Sequence, residues 1–89
     1  MPRLVFTAHL ANVGPRDPRE VEGGTVGAAL AIVFAEFPRL KSYVLDDQGR
    51  VRKHVAVFVD SVRQPNEEVL GLPVTPDTEI YVLQALSGG

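Results

Sequence analysis

One helical segment interrupts a chain whose other apolar residues mostly alternate as they do in strands. Between Thr25 and Pro38 the apolar residues recur at the spacing of one helix face: Val26, Ala29, Leu30, Val33, Phe34 and Phe37. Thr25 is a favourable N-cap because its hydroxyl can accept a hydrogen bond from a free amide of the first turn, and Pro38 disfavours helical geometry at the residue before it. One amphipathic helix covers one face of a small sheet, so we predict a two-layer α+β domain.

Strand-like segments lie on both sides of this helix. They comprise residues 3–9, 20–22, 53–60, 62–63 and the stretch that begins at residue 79. Asp60-Ser61 predicts a tight turn between the third and fourth of these strands, and Pro38 opens one further helical turn. Residues 64–76 read as an irregular segment that four apolar residues hold to the core: Val69, Leu70, Leu72 and Val74.

The composition excludes several classes of function. The 89 residues suffice for one domain, and an apolar content of 45% is typical of a globular protein. A net charge of −2 argues against a nucleic-acid binder, which usually presents a basic face. The absence of cysteine excludes disulfides, thiol catalysis and cysteine-ligated metal sites. No apolar run approaches the roughly 18 residues of a membrane span and no signal-peptide pattern is present, so we expect a cytoplasmic protein with no membrane partner.

Few side chains are arranged as in a metal or catalytic site. His9 and His54 have no third ligand at a suitable spacing, so we interpret them as surface residues of strands. The acidic pairs at residues 46–47 and 67–68 fall in loops that no neighbouring element turns into a pocket, and we interpret them as solvated turns. These residues therefore predict neither a bound metal nor a catalytic centre.

The alternation of the last strand separates its side chains onto opposite faces of the sheet. If Ile80 and Val82 face the helix, then Tyr81, Leu83 and Ala85 face outward. The outward residues of the other strands are then Val5, His54, Ala56 and Phe58. An exposed apolar cluster that contains aromatic residues is typical of a docking surface, whereas a one-residue register error would exchange the two faces and bury the cluster.

Ser87, Gly88 and Gly89 follow the last predicted strand. Glycine has no side chain to pack and loses more conformational freedom on ordering than any other residue. We therefore expect a folded body at residues 1–85 and a thin tail at residues 86–89 that carries a free carboxylate. That carboxylate is the main candidate functional group of the chain.

The element order and the ending resemble the ubiquitin-like β-grasp fold, and more narrowly the sulfur-carrier family of ThiS and MoaD. The resemblance covers nearly the whole chain, and the segments that carry it are residues 4–8, Thr25-Val26, 55–60, 76–79 and Gly88-Gly89. Residues 45–55, a loop that leads into the strand His-Val-Ala-Val-Phe-Val, are similar to the CysO and QbsE branch. Asp60-Ser61 stands where relatives often have Asn-Gly or Asp-Gly, and this difference bears only on the type of turn that is expected. The resemblance implies a mixed sheet of four to five strands on one main helix.

In these families the chemistry takes place at the C-terminal carboxylate, which corresponds to Gly89 here. The resemblance implies that a ThiF- or MoeB-like activating enzyme uses ATP to form an acyl-adenylate, and that a sulfur donor then displaces AMP to leave a thiocarboxylate. Leu86, Ser87 and Gly88 would give this end clearance in a narrow nucleotide site. The chain would then be a co-substrate that binds no cofactor itself, and not an enzyme.

The resemblance also implies partners beyond the activating enzyme. These are a synthase that consumes the sulfur and, in the CysO-like branch, a metalloprotease that processes the tail. Three alternatives stay open: the small subunit of a molybdopterin synthase, whose tail inserts into a large catalytic partner; a protein modifier, joined through Gly89 to a lysine; and a plain interaction domain. All but the last use the same chain end.

Overall fold

The structure, a computed structural model, describes residues 1–84 (of Ala8 only the backbone), and these residues form five strands and two α-helices. The strands are β1 (Arg3–Phe6), β2 (Arg19–Glu20), β3 (Val55–Val59), β4 (Val62–Gln64) and β5 (Glu79–Gln84), and the helices are α1 (Val26–Glu36) and α2 (Pro38–Val44). Short 3₁₀ helices at Ala8–Asn12 and Val69–Gly71 lie in the connections. The order of strands and helices is the predicted one.

β5, the last of these strands in the sequence, lies at the centre of the sheet. The strand order is β2-β1-β5-β3-β4. β5 runs parallel to β1, with Leu4 opposite Ile80, and antiparallel to β3, with Val57 opposite Val82. The outer pairs, β1 with β2 and β3 with β4, are antiparallel. The described sheet is therefore mixed and five-stranded, and the predicted α+β architecture is confirmed.

The two predicted helix signals act as expected. The Thr25 hydroxyl accepts a hydrogen bond from the Ala28 amide at 3.1 Å, which satisfies one free donor of the first turn of α1. Phe37 leaves helical geometry with φ −127° and ψ 76°, and Pro38 then opens α2 at its first position. α2 runs for seven residues, about two turns rather than the predicted one, because Leu40 and Val44 lie on the same helix face and are both buried.

The core lies between α1 and the inner face of the sheet. Ile80 and Val82 of β5 have no exposed surface, and neither have Leu30 and Val33 of α1. Each such side chain contributes about 1.5–3 kcal/mol by leaving water. The central strand and the main helix thus stabilise each other through one shared apolar layer.

The irregular segment between β4 and β5 is held to this core as predicted. Val69 is fully buried, and Leu70, Leu72 and Val74 pack against the core. The Val26 amide at the start of α1 donates a hydrogen bond to the Leu72 carbonyl at 3.0 Å. The segment therefore also satisfies a free donor at the N-terminus of α1.

Four strands differ in their bounds from the sequence prediction; β3 ends one residue earlier than predicted and β4 one residue later. β1 ends at Phe6 rather than at residue 9, because after the Thr7 amide has donated to the Val82 carbonyl the chain turns into the 3₁₀ helix and buries Leu10 completely. β2 is Arg19–Glu20 rather than residues 20–22. β3 begins at Val55, so His54 precedes the strand instead of lying in it.

The predicted tight turn at Asp60 and Ser61 adopts left-handed backbone geometry at both residues. Their φ angles are 49° and 72°, as in the hairpin turn that usually contains Asn-Gly or Asp-Gly. The Asp60 carboxylate accepts a hydrogen bond from the Glu79 amide at 2.9 Å, and the Asp60 amide donates to the Glu79 carbonyl at 2.8 Å. The turn therefore also ties the β3–β4 hairpin to the start of β5.

Replacing Ser61 by glycine should stabilise the protein. The left-handed backbone conformation destabilises a residue that carries a Cβ by about 1 kcal/mol. Glycine adopts this conformation without that penalty. We expect Ser61→Gly to raise the free energy of unfolding by about that amount in chemical denaturation. The same change at Ser42, inside α2, should lower it because glycine is a poor helix former. Equal effects at the two positions would contradict the turn geometry.

Candidate functional site

A row of side chains crosses the outer face of the sheet, the face turned away from α1. Val5 of β1 is opposite Tyr81 of β5, and Tyr81 is opposite Phe58 of β3. Leu83 lies two residues along β5 on the same face, opposite Ala56. We refer to Val5, Phe58, Tyr81 and Leu83 as the outer patch. The alternation predicted from the sequence is therefore confirmed for the strands that carry it.

The outer patch is accessible although it is apolar. Tyr81 is 36% exposed, while Val5, Phe58 and Leu83 are half-buried by their neighbours. Phe58, Tyr81 and Leu83 line a depression of about 270 Å³ together with Ser61. Ala56, which the sequence placed on this face, is only 7% exposed and contributes little surface. The depression offers a partner two aromatic rings and one aliphatic side chain.

The last described residue of β5 lies beside this patch. Gln84 forms the last described pair of β5, with Val55 of β3. His54 is exposed and directly precedes that pair, so it lies at the same end of the sheet. The remaining predicted site residues, Ala85, Leu86, Ser87, Gly88 and Gly89, lie outside the described residues, and their predicted roles stay predictions.

Two carboxylates have lowered pKa values because of hydrogen bonds within the folded body. The Arg50 amide donates to Asp46 at 3.0 Å and lowers the pKa of that carboxyl, and the Gln48 amide, at 2.9 Å, acts in the same direction. The Arg19 side chain donates to Glu36 at 2.6 and 2.9 Å and lowers the pKa of that carboxyl.

Residues 1–84 contain no group of three side chains that could hold a metal ion. No helix in that part of the chain is long and apolar enough to cross a membrane.

The sequence did not predict a second apolar surface, on α1. A depression of about 390 Å³ runs along this helix, lined mainly by Gly27, Leu30, Ala31, Phe34, Ala35 and Leu70. Ile32, on the same helix, is 42% exposed. The signal was present in the sequence: α1 has no charged residue before Glu36, so its solvent side is apolar as well as its core side.

Comparison with solved structures identifies the fold. Small archaeal modifier protein 1 from Haloferax volcanii is 27% identical, and the alignment covers 99% of this chain and 98% of that chain with a TM-score of 0.79. This chain is a ubiquitin-like β-grasp protein. The crystal structure of the BexX/CysO complex from Amycolatopsis orientalis gives a TM-score of 0.84 at 18% identity, with both chains covered completely. Small archaeal modifier protein 1 from Methanosarcina acetivorans gives 0.83 at 18% identity, with 99% and 95% covered.

The other comparisons find nothing similar. No protein-family model matches this ubiquitin-like chain, and no curated protein does. The resemblance to ThiS- and MoaD-like proteins is confirmed by the structural neighbours, which are small carrier and modifier proteins and include CysO. These neighbours support, at a coarse level, a ubiquitin-like carrier or modifier.

A pair of adjacent substitutions on β5 tests the assignment of the two faces. Leu83→Asp places a carboxylate on the outer patch, so the free energy of unfolding should change by no more than about 1 kcal/mol. Val82→Asp buries an unpaired charge in the core and should cost more than about 4 kcal/mol or abolish the unfolding transition. Denaturant titration of both variants measures this. The opposite ranking would mean that the patch faces inward.

Proposed function

We propose that this protein is a sulfur carrier whose Gly89 carboxylate is activated and converted to a thiocarboxylate by partner proteins. The carboxylate oxygen attacks the α-phosphorus of ATP and pyrophosphate leaves, which gives an acyl-adenylate. Hydrosulfide supplied by a sulfur donor then attacks the acyl carbon, AMP leaves with the carbon–oxygen bond broken, and loss of the sulfur-bound proton gives the thiocarboxylate. The chain binds no cofactor in this scheme, because the partner enzyme binds the ATP and receives the sulfur from the donor. The scheme operates in the cytoplasm.

The observation that carries the proposal is the position of β5. Hydrogen bonding to β1 holds this strand as far as Val82, and hydrogen bonding to β3 holds it as far as Gln84. The five residues that follow reach at most about 18 Å when extended, far enough to enter a nucleotide site while the body stays outside. The outer patch lies beside Gln84, so one surface can dock while the chain end enters.

The chain end fits a narrow site because of its residue types. Gly88 and Gly89 have no Cβ, so the last two residues occupy little more than the width of the backbone. Holding the tail extended costs on the order of 1–2 kcal/mol per residue in conformational entropy. Contacts made by the outer patch have to offset that cost, and aromatic side chains such as Phe58 and Tyr81 are typical anchors of protein interfaces.

The structural neighbours support the proposal in two ways. CysO was solved in a complex with BexX, so a protein of this fold has a protein partner. Small archaeal modifier protein 1 from Haloferax volcanii, at 27% identity, is named for modification. This second observation favours an alternative in which Gly89 forms an isopeptide bond with a lysine. Both functions begin with activation of the same carboxylate, and they differ in the nucleophile that displaces AMP.

The mass of the intact protein from its native host tests the proposal. We expect a species heavier than the free acid by the exchange of one oxygen for one sulfur, and its loss when Gly89 is deleted. If the modifier function operates, a tagged chain should instead give a ladder of larger conjugates that also requires Gly89. A stable complex with one large subunit would favour the synthase-subunit alternative. Only the free acid, with enzyme, ATP and sulfur donor all supplied, would refute the proposal.

Docking through the outer patch can be measured separately from the chemistry. Phe58→Ala should weaken binding to a ThiF/MoeB-like activating enzyme about tenfold or more, because an aromatic anchor is lost. The rate at saturating carrier should change little, because the tail is intact. Ile32→Ala, which removes an exposed apolar side chain from α1, is the matched control and should bind like the wild type. Calorimetric titration of the three proteins provides the comparison, and equal affinities would remove the patch from the interface.

A further inference from the structure

We infer that Arg63 selects the partner of the outer patch by pairing with a carboxylate on the partner's surface. The inference rests on the proposed function, because it uses the same docking face and the same activating enzyme. It adds the chemical character of the surface that docks there: an apolar site for Phe58 and Tyr81, with an acidic side chain at one edge.

The register of the sheet places Arg63 on the outer face. Arg63 of β4 is opposite Phe58 of β3, which is opposite Tyr81 of β5. Residues that are directly opposite one another in a sheet point to the same side. β4 is an edge strand of the described sheet, so the row Val5, Tyr81, Phe58 and Arg63 ends in a cation at its rim. An arginine stem can lie along the apolar surface while its guanidinium stays in water.

Arg63 is available for a partner. Within residues 1–84 it forms no ion pair, whereas Arg3 pairs with Glu79 at 3.6 Å and Arg19 pairs with Glu36. The acidic group of the adjacent turn, Asp60, is already engaged because its carboxylate accepts from the Glu79 amide. Arg63 is exposed, so this cation can meet an anion on an approaching surface without a rearrangement of the body.

The charge of this row differs in sign from that of the whole chain. The chain carries a net charge of −2, yet the row that crosses the outer patch contains one cation and no anion. A partner with a carboxylate opposite Arg63 is therefore attracted at the moment of docking, and one with a lysine or arginine there is repelled. Arg is suited to this because its guanidinium can bind a carboxylate through two parallel hydrogen bonds. We therefore assign the partner an acidic residue next to its apolar docking site.

The first experiment reverses the charge and compares two arginines. Arg63→Glu should weaken binding to the ThiF/MoeB-like activating enzyme about tenfold or more, and should reduce the salt dependence of binding. Arg39→Glu changes the net charge by the same amount on the exposed surface of α2, and its affinity should stay at the wild-type value. Arg63→Gln removes the cation without adding an anion and should fall between wild type and Arg63→Glu. Circular dichroism establishes that all three variants are folded.

The second experiment identifies the partner's carboxylate. Arg63→Lys keeps the charge and adds an amine, which a carbodiimide can join to a contacting carboxylate as an amide while the reagent takes up the water that is lost. Mass spectrometry of the joined peptides should locate an acidic residue on the activating enzyme. The same treatment of Arg39→Lys should give no such product, and the wild type, with Lys41 and Lys53, sets the background.

The outcomes separate this inference from the proposed function. Selective loss of affinity in Arg63→Glu together with a cross-link at position 63 supports it. Equal affinities of wild type, Arg63→Glu and Arg39→Glu overturn it, and so does equal weakening of both variants, which would reflect net charge alone. A cross-link to a second copy of this chain, or no binding by the wild type, also overturns it. Formation of the thiocarboxylate by the wild type, read from its mass, does not require Arg63 to pair with a carboxylate, so it reports on the proposed function separately.

Discussion

The pairing of β5 on both sides is the interaction on which the rest of the structure depends. β5 joins β1 and β2 to the β3–β4 hairpin. Without β5 these two parts would not belong to one sheet. Its inward residues, Ile80 and Val82, have no exposed surface and meet the helix layer. Because β5 follows every other described element in the sequence, the sheet is completed by the segment nearest to Gly89. The proposed presentation of the chain end would therefore depend on the same strand that completes the fold.

The two-residue period of β5 gives this strand a second role. Val82 stabilises the body because it faces the helix, and its neighbour Leu83 is left on the surface for the same geometric reason. The outer patch thus requires no extra element, since it is the unburied half of the strands that build the core. The outer patch leaves apolar side chains exposed to water. Such an exposed apolar surface is typical of a site that a partner covers.

Local signals in the sequence predicted much of this arrangement. Thr25 and Pro38 bound the main helix through backbone chemistry that does not depend on the rest of the fold, and the alternation around Val82 separates the two faces. The end of β1 was not predictable in that way, because burial of Leu10 in a 3₁₀ helix depends on contacts with distant residues. The role inferred for Arg63 needs the strand register, since only the pairing with Phe58 brings it to the patch.

If this chain is a carrier as proposed, activation chemistry and choice of partner place different demands on it. Any chain that ends in Gly-Gly offers an activating enzyme nearly the same atoms, so those atoms cannot distinguish one carrier from another. Discrimination has to come from the folded body, where an apolar anchor such as Phe58 contributes affinity with little preference among apolar sites. A charge at the rim of that anchor adds preference, because the wrong sign on a partner is penalised as well as the right sign rewarded. If Arg63 pairs with a carboxylate of the partner, the residues that select the partner lie on the sheet, whereas the reactive carboxylate belongs to Gly89. Either of the two can then change without loss of the other.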